Sequence, residues 1–250
     1  NGMVLNSKKA EMPISKNWRS VAYGNGKFVA VAGSGYDVFA YSEDGIAWIE
    51  STLPSREDWR SVTYGNGKFV AVASNTDVAA CSDDGITWTQ TTLPVSAYWR
   101  SVTHGNGRFV AISGNFSTVA AYSDDGITWT ETELPVSASW DYVTYGNGMF
   151  VATSSNGFVY SEDGITWTQC SLEPLSVSAP VTYGDGKFIA VGMNSSKLVF
   201  SYDGITWHDS IQYISQNDTD VTADTLIALK HTHDEYQNKI TGTAGQFVVI

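Results

Sequence analysis

The stretch Ser123-Asp124-Asp125-Gly126-Ile127-Thr128-Trp129 decides the fold, because it recurs along the chain at a nearly constant interval. A fixed period of this length is the sequence signature of a repeat architecture. Within each copy the serine and the aspartate can hydrogen-bond nearby backbone amides, and the glycine can adopt positive φ, so each copy is predicted to be a tight turn. The aspartates of the copies, spaced 40, 41, 38 and 40 residues apart, are Asp44, Asp84, Asp125, Asp163 and Asp203.

A second phrase precedes each of these turns. Its first copy begins Trp18-Arg19-Ser20-Val21-Ala22-Tyr23 and continues through Asn25-Gly26. The phrase returns at Trp59, Trp99 and Trp140, and a weaker copy without the tryptophan begins near Ala179. Asn-Gly between two alternating apolar runs predicts a β-hairpin with a type I′ turn, which needs positive φ at both central residues.

Together the two phrases predict four antiparallel strands in every period of about 40 residues, which is typical of the blades of a β-propeller. The predicted fold is therefore all-β: a propeller of five four-stranded blades over residues 18–212, each blade running from its innermost to its outermost strand. Six blades, closed by the two irregular ends of the chain, is the alternative. Residues 1–17 then form an N-terminal strand and linker, and residues 213–250 form a C-terminal segment outside the propeller.

The Ser-x-Asp-Gly-x-Thr-Trp phrase resembles the Asp-box of bacterial neuraminidase repeats, which is found in sialidases, in related glycosidases and in propeller lectins. It departs from the commonest form, which has one more residue between Asp and Gly, and Ala47 replaces the threonine in the first copy. The resemblance covers about four-fifths of the chain. It implies a propeller in which the boxes, with their aspartates and tryptophans, are structural turns and core.

The C-terminal segment carries a second resemblance. His231-Thr232-His233, followed by Ile240-Thr241-Gly242, is similar to the trailing segments of bacteriophage tail-fibre and tail-spike proteins. In those proteins His-x-His lies near a trimer axis. The resemblance implies a component of a phage or phage-like tail, or an adhesin, located in the virion tail or at a cell surface. An alternative is that residues 240–250, which align without gaps to 62–72, form half of a sixth blade.

The two histidines also predict a metal site. Residues i and i+2 of an extended chain point to the same side, so His231 and His233 can face one axis. Three chains would offer six nitrogens, enough for octahedral coordination of iron or nickel. A homotrimer joined through the C-terminal segment and its metal are therefore predicted together, and no other cofactor is expected. The alternative is a solvated His-x-His in a flexible connector.

The composition excludes several function classes. The 250 residues include 26 acidic and 14 basic side chains, a formal net charge of −12 that would repel nucleic acid. No apolar run approaches the roughly 20 residues that a membrane-spanning helix needs, and residues 1–5 show no signal-peptide pattern. Cys81 and Cys170 are too few for a disulfide framework.

Candidate binding residues lie on one face of the predicted blades. We call this the linker face, because it carries the linkers between blades and the loops between second and third strands. The Asn-Gly and Asp-Gly turns lie on the opposite, hairpin face. A Trp ring that stacks on sugar C–H groups beside an arginine that hydrogen-bonds hydroxyls makes a sugar platform. The predicted sugar-binding residues are Trp18, Arg19, Trp59, Arg60, Trp99, Arg100, Trp140, Asn75, Asn115, Asn156 and Asn194. The alternative is that these tryptophans wedge neighbouring blades apart.

Catalysis is not expected. Sialidase-type chemistry needs three arginines around one carboxylate, a tyrosine nucleophile with its glutamate, and an acid aspartate. Arg19, Arg60 and Arg100 are repeat-equivalent, and no non-repeating pair of acids stands out for a glycosidase. We therefore predict non-enzymatic binding of a host or cell-surface glycan. The alternatives are a sialidase-like glycoside hydrolase and a structural spacer of a tail fibre.

Overall fold

The structure, a computed structural model, describes residues 12–154, 156–171, 180–192 and 198–209. In these ranges the chain forms strands and turns, and no helix that could cross a membrane. The all-β prediction is confirmed. Each of the five repeats supplies four strand positions of an antiparallel meander, and we call the repeats units 1 to 5.

The strands follow one another in chain order. Unit 1 has β1 (Trp18–Gly24), β2 (Lys27–Ala32), β3 (Tyr36–Ser42) and the first half of β4 (Ile49–Gly65). Unit 2 has the second half of β4, β5 (Lys68–Ser82) and the first half of β6 (Thr89–Gly105). Unit 3 has the second half of β6, β7 (Arg108–Ser113), β8 (Ser117–Ser123) and β9 (Thr130–Ala138). Unit 4 has β10 (Trp140–Gly146), β11 (Met149–Ser154), β12 (Gly157–Ser161) and β13 (Thr168–Gln169). Unit 5 has β14 (Val181–Gly184), β15 (Lys187–Val191), β16 (Leu198–Ser201) and β17 (His208–Asp209).

Hydrogen bonding joins β1 to β9 into one nine-stranded sheet, and β10–β13 and β14–β17 into two four-stranded sheets. The long strands β4 and β6 produce the larger sheet, because each continues from the last strand of one unit into the first strand of the next. The three sheets do not close into a ring within the described ranges.

The predicted hairpin turns are confirmed. Asn25 and Gly26 have φ of 47° and 74°, so both central residues are in the left-handed region that a type I′ turn requires. The other four hairpins have the same pair of positive φ angles, with aspartate replacing asparagine in unit 5: Asn66-Gly67, Asn106-Gly107, Asn147-Gly148 and Asp185-Gly186.

The hydrophobic core lies between units rather than inside one. One buried cluster combines Val70 and Val72 of unit 2 with Phe109 and Trp129 of unit 3. The first strands of neighbouring units are also joined by serine side chains. The hydroxyl of Ser20 accepts a hydrogen bond from the Val62 amide at 3.1 Å, and that of Ser61 accepts one from the Val102 amide at 3.1 Å. A unit therefore depends on its neighbour both to bury its apolar side chains and to complete the hydrogen bonds of its buried polar groups.

A glycine at the end of each first strand makes the closest contact between units. A Cβ atom on Gly105 would overlap the ring of Tyr145 in the next unit, and one on Gly65 would overlap His104. Gly24 meets Tyr64, and Gly146 meets Tyr183, in the same way. The aromatic ring of each of units 2 to 5 thus lies directly on the backbone of the unit before it.

This contact predicts that Gly105→Ala is much more harmful than Gly107→Ala. The first change forces an atom into the Tyr145 ring and should cost about 3 kcal/mol of unfolding free energy or more. Gly107 has φ of 75° and no atom within 4 Å of an added Cβ, so its change should cost about 1 kcal/mol. Urea unfolding of both variants measures the difference.

The same measurement on Gly105→Ala combined with Tyr145→Ala supplies the control. Removing the ring should make the alanine at 105 nearly harmless relative to Tyr145→Ala alone, a coupling that contacting residues show. If Gly105→Ala lowers the unfolding free energy equally with and without the Tyr145 ring, the contact between Gly105 and that ring does not explain the effect.

Candidate functional site

Hydrogen bonds group the turns on one face of the units and the linkers on the other. On the hairpin face, the side-chain amide of Asn66 donates to the carbonyl of Gly107 at 2.7 Å and to that of Asp124 at 3.0 Å. On the linker face, the Gly33 amide donates to the Asn17 carbonyl at 2.9 Å. The predicted separation of turns and linkers onto opposite faces is therefore correct.

The aspartates of the Asp-Gly turns satisfy the backbone of their own turns. In unit 3 one carboxylate oxygen of Asp125 accepts hydrogen bonds from the Ile127 and Thr128 amides, at 2.8 and 2.7 Å. The Ser123 hydroxyl donates to the same oxygen at 2.9 Å and accepts from the Gly126 amide at 2.8 Å. The turns of all five units repeat this pattern with their own serine and aspartate.

These hydrogen bonds favour the ionised carboxylate. The Thr128 amide has the largest effect on Asp125; partial burial opposes it, and the Ile127 amide and Ser123 hydroxyl add to it, so its pKa falls to about 2. Burial raises the pKa of Asp84, but bonds from Thr87, Ile86 and Ser82 outweigh it and lower that pKa to about 2 as well. A carboxylate held in this way stays ionised near neutral pH and has no proton to donate there.

Trp59, Trp99 and Trp140 are not sugar platforms, which corrects the expectation from sequence. Trp59 and Trp99 are 0% exposed and Trp140 is 1% exposed, so no ring face is open to a ligand. Each indole N–H donates to the carbonyl four residues earlier, as Trp99 does to Val95 at 3.2 Å. The rings hold the linker against the core; the alternative interpretation also gave them a structural role, as wedges between neighbouring blades. Trp18 makes the equivalent bond to Ile14 at 3.3 Å but is only half-buried.

The residue after each tryptophan occupies a β-bulge. Pairing steps from Trp59 with Ala73 to Ser61 with Val72, which leaves Arg60 as an extra residue without a partner on β5. A bulge breaks the alternation of side chains and redirects one of them. The same register shift places Arg19, Arg100 and Asp141 at the bulge in units 1, 3 and 4. The sequence showed the repetition of these residues but no sign of the bulge.

Aspartates of the linker face neutralise part of this arginine charge. Asp58 forms an ion pair with Arg60 and accepts a hydrogen bond from the Ser34 amide at 2.7 Å. Arg100 lies 3.8 Å from the Asp141 carboxylate, and its side chain covers Gly114. The side chains of Arg60 and Arg100 remain partly exposed beside these carboxylates, although the Nε atom of each is buried.

Three predicted asparagines are exposed on the linker face: Asn75 lies within β5 at a register shift, and the other two lie in loops. Asn75 and Asn115 have φ of 64° and 62°, and Asn156 is exposed beside Ser154. Phe116 follows Asn115 at φ 55°, a conformation that is strained for a bulky residue. The Ser137 hydroxyl donates to the Phe116 carbonyl at 2.6 Å and the Gly114 amide donates to the Tyr98 carbonyl at 2.9 Å, so both ends of this loop are fixed.

The structure places exposed aromatic rings on the linker face at positions that the sequence did not single out. Phe116 is 72% exposed, Tyr98 is 41% exposed, and Tyr36 is 39% exposed with the Lys16 ammonium over its ring. Tyr98 stands at the repeat position of Asn17, Asp58 and Ser139. An aromatic residue where units 1, 2 and 4 have a polar one is the signal that could have found it.

The unit 3 patch is the candidate site. It consists of Tyr98, Arg100, Asn115 and Phe116, which the Gly114 contacts bring together: the Gly114 amide bonds to Tyr98, and the Arg100 side chain covers the glycine. The patch combines two exposed aromatic rings, a guanidinium and a carboxamide. It therefore offers apolar faces and hydrogen-bond donors at the same surface.

Other reactive groups of the described ranges serve the core. Burial raises the pKa of the Cys170 thiol to about 11, which keeps it protonated at neutral pH. His104 is half-buried against Phe109, and burial lowers its pKa. No group of three or more His, Cys, Asp or Glu side chains suited to a metal ion occurs in this part of the chain.

Several predicted features lie outside the described residues. These are residues 1–11 of the predicted N-terminal strand and linker, Asn194, the histidines His231 and His233 with their predicted metal and trimer, and the C-terminal segment 213–250.

The chain matches one family model. The DUF6242 beta propeller domain matches residues 5–139 and 96–224, which together span most of the sequence. No curated protein sequence matches the chain.

Solved structures with propeller folds are similar to this chain at low identity. A streptogramin B lyase has a TM-score of 0.69 at 12% identity, covering 78% of this chain and 68% of that one. The catalytically inactive virginiamycin B lyase from Staphylococcus aureus with quinupristin has a TM-score of 0.68 at 13% identity, covering 82% and 71%. YCF48 bound to D1 peptide has a TM-score of 0.58 at 17% identity, covering 78% and 66%. At these identities the likeness shows the fold alone.

The hydrogen bonds of the Asp-Gly turns predict acid sensitivity. The pKa of Asp125 in the folded protein, about 2, is below the unfolded value of about 3.9. Its contribution to stability is therefore present above about pH 4 and lost as pH falls towards 2. Asp125→Asn should reduce the unfolding free energy by about 1 kcal/mol at neutral pH, and by much less near pH 2.

Urea unfolding at several pH values measures this difference. Glu162→Gln, an exposed change in the Asp-Gly turn of unit 4, is the matched control and should leave stability unchanged. If Asp125→Asn lowers the unfolding free energy equally at neutral pH and near pH 2, the role given to the Asp125 carboxylate is wrong.

Proposed function

For this chain, which belongs to the DUF6242 beta propeller domain family, we propose a non-enzymatic binding function in which the unit 3 patch takes a glycan. The observation that carries this proposal is Phe116. It is a large apolar side chain, 72% exposed, in a backbone conformation that costs of order 1–3 kcal/mol. Within the described residues, the packing of unit 3 does not use this ring, whereas a ligand could.

The chemistry of the patch suits a carbohydrate. Aromatic rings stack on the C–H faces of sugars, and Tyr98 and Phe116 offer two such rings. The guanidinium of Arg100 and the carboxamide of Asn115 can hydrogen-bond hydroxyl groups around the ring. Because hydrogen bonds from Ser137 and Gly114 already fix the loop, little conformational entropy remains to be lost on binding.

Two other functions compete with this proposal. A peptide ligand is one, since YCF48, whose fold is similar, has been solved bound to D1 peptide, and aromatic rings beside an arginine also suit peptides. A sialidase-like hydrolase is the other. The ion pairs of Arg60 with Asp58 and of Arg100 with Asp141 favour binding over such catalysis, because they take up charge that a substrate carboxylate would need.

A glycan array followed by titration of the best glycan tests the proposal. Phe116→Ala and Tyr98→Ala should each weaken binding about tenfold or more, equivalent to about 1.4 kcal/mol, because each removes one stacking surface. Tyr202→Ala is the matched control, because Tyr202 is exposed to a similar degree but lies in an Asp-Gly turn of the hairpin face. It should bind like the unaltered protein.

The competing functions give different results in the same experiment. Release of a sugar from the array would favour the hydrolase. If no glycan on the array binds, a peptide ligand or the role of a structural spacer is favoured. Binding that survives both Phe116→Ala and Tyr98→Ala would show that the glycan binds elsewhere.

We propose a second role for the C-terminal segment, from sequence alone. His231 and His233 would hold iron or nickel at the axis of a homotrimer in a phage-like tail, and the propeller would then be displayed at the virion surface. Metal analysis and light scattering of the whole chain test this role. We expect the unaltered chain to be a trimer with bound metal, and the double variant His231→Ala with His233→Ala to lose that metal. An unaltered chain that binds no metal would contradict this role.

A further inference from the structure

Four of the five hairpins contain the same exposed Gly-Asn-Gly sequence in the same backbone conformation. Their asparagines, all with φ of 47° or 48°, are Asn25, Asn66, Asn106 and Asn147. The glycine after each asparagine has no side chain to shield its backbone nitrogen, and a Cβ built on it would meet no atom within 4 Å. Because sequence and backbone are shared, the four asparagines can differ only through the contacts of their side chains.

Three of these side chains are held by the next unit. The carboxamide of Asn66 donates hydrogen bonds to the Gly107 carbonyl at 2.7 Å and to the Asp124 carbonyl at 3.0 Å. Asn25 and Asn147 each donate to the equivalent of the Asp124 carbonyl in the next Asp-Gly turn, at 3.4 and 3.2 Å. These bonds point the carboxamide away from the backbone of its own turn.

Asn106 differs from the other three. Its side chain makes no hydrogen bond to any described residue, although the equivalent carbonyl, that of Glu162, is part of the next unit. The Arg108 guanidinium crosses to that unit instead and donates to the Asp163 carbonyl at 2.7 Å. The units whose asparagine reaches the next unit have a lysine or a methionine at the position of this arginine: Lys27, Lys68 and Met149.

We propose that Asn106 undergoes spontaneous deamidation in the folded protein, because Arg108 takes the contact with the next unit that would otherwise hold the Asn106 side chain. The backbone nitrogen of Gly107 attacks the side-chain carbon Cγ of Asn106. As this N–Cγ bond forms, the Cγ–Nδ2 bond breaks, and ammonia leaves with the proton of the Gly107 amide. The product is a cyclic succinimide, which water opens to aspartate or isoaspartate. The reaction takes place on the hairpin face and uses no residue of the unit 3 patch.

Hydrogen bonds to the next unit oppose this reaction at the other asparagines. A carboxamide must leave its carbonyl partner before its Cγ can meet the following backbone nitrogen. Losing the two bonds of Asn66 should make its deamidation at least about tenfold slower than that of Asn106. The single, longer bonds of Asn25 and Asn147 should give intermediate rates.

Unit 5 shows that the aspartate product fits this turn. Asp185 and Gly186 have φ of 47° and 74°, and the turn is closed by the pairing of Gly184 with Lys187, as in the other units. Aspartate at position 106 should therefore keep the hairpin. Isoaspartate lengthens the backbone of the turn by one carbon atom, so it should disturb the pairing of the residues on either side.

Timed incubation of the whole folded chain at mildly alkaline pH, followed by trypsin digestion and mass spectrometry, tests the proposal. Trypsin cuts after arginine and lysine, so Asn25, Asn66 and Asn106 fall in separate peptides of residues 20–27, 61–68 and 101–108. The deamidated fraction of peptide 101–108 should grow at least about tenfold faster than that of peptide 61–68. A sample digested without incubation measures the deamidation that digestion itself causes.

The same incubation in guanidinium chloride separates structure from sequence. The unfolded chain has lost the hydrogen bonds between units, so the three peptides, which share Gly-Asn-Gly, should deamidate at similar rates. A folded chain in which Asn106 deamidates no faster than Asn66 would overturn the proposal. An excess at Asn106 that is equally large in the unfolded chain would overturn it as well.

Arg108→Lys is the matched variant, because it gives unit 3 the lysine of units 1 and 2 and keeps the trypsin site. Without the arginine, the Asn106 carboxamide should reach the Glu162 carbonyl, and its deamidation should slow to about the rate of Asn25. An unchanged rate at Asn106 in the folded variant would show that Arg108 is not what leaves this side chain unheld.

Discussion

The rest of this structure depends on the contact between an aromatic ring of one unit and a first-strand glycine of the unit before it. A four-stranded unit cannot bury its two faces alone, so each face needs a neighbour. The ring of Tyr145 on Gly105 sets how closely two units approach. At that separation the Ser61 hydroxyl reaches the Val102 amide of the next first strand, and the apolar residues of two units form one core.

Most of the fold could be predicted from sequence, because the information is local. Asn-Gly needs positive φ at both residues, and Ser-x-Asp-Gly satisfies its own amides within a few residues, so both turns can be recognised without knowing their surroundings. The 40-residue period then places four strands between successive turns. The glycine contact could not be found in this way, since it joins residues about 40 positions apart and Gly105 has no unusual φ.

The candidate site was predicted less well, for a physical reason. Trp59, Trp99 and Trp140 recur because every unit must hold its linker against the core, and the same demand buries the rings. Aromatic residues suit sugars, which favoured a binding role for these rings, but recurrence in a repeat protein favours packing. The bulge that isolates Arg60 was invisible, because the sequence around it alternates like any strand.

Function in such an array is therefore expected where a unit departs from its repeat. Residues that every unit shares are held by the contact between units, and changing them changes the fold. Tyr98 replaces Asn17, Asp58 and Ser139 at its repeat position, and no unit needs a ring there to pack. Phe116 departs further, since its strained backbone has no counterpart among the bulky residues of the other described loops. Such positions are free to serve a ligand because the shared positions alone maintain the scaffold.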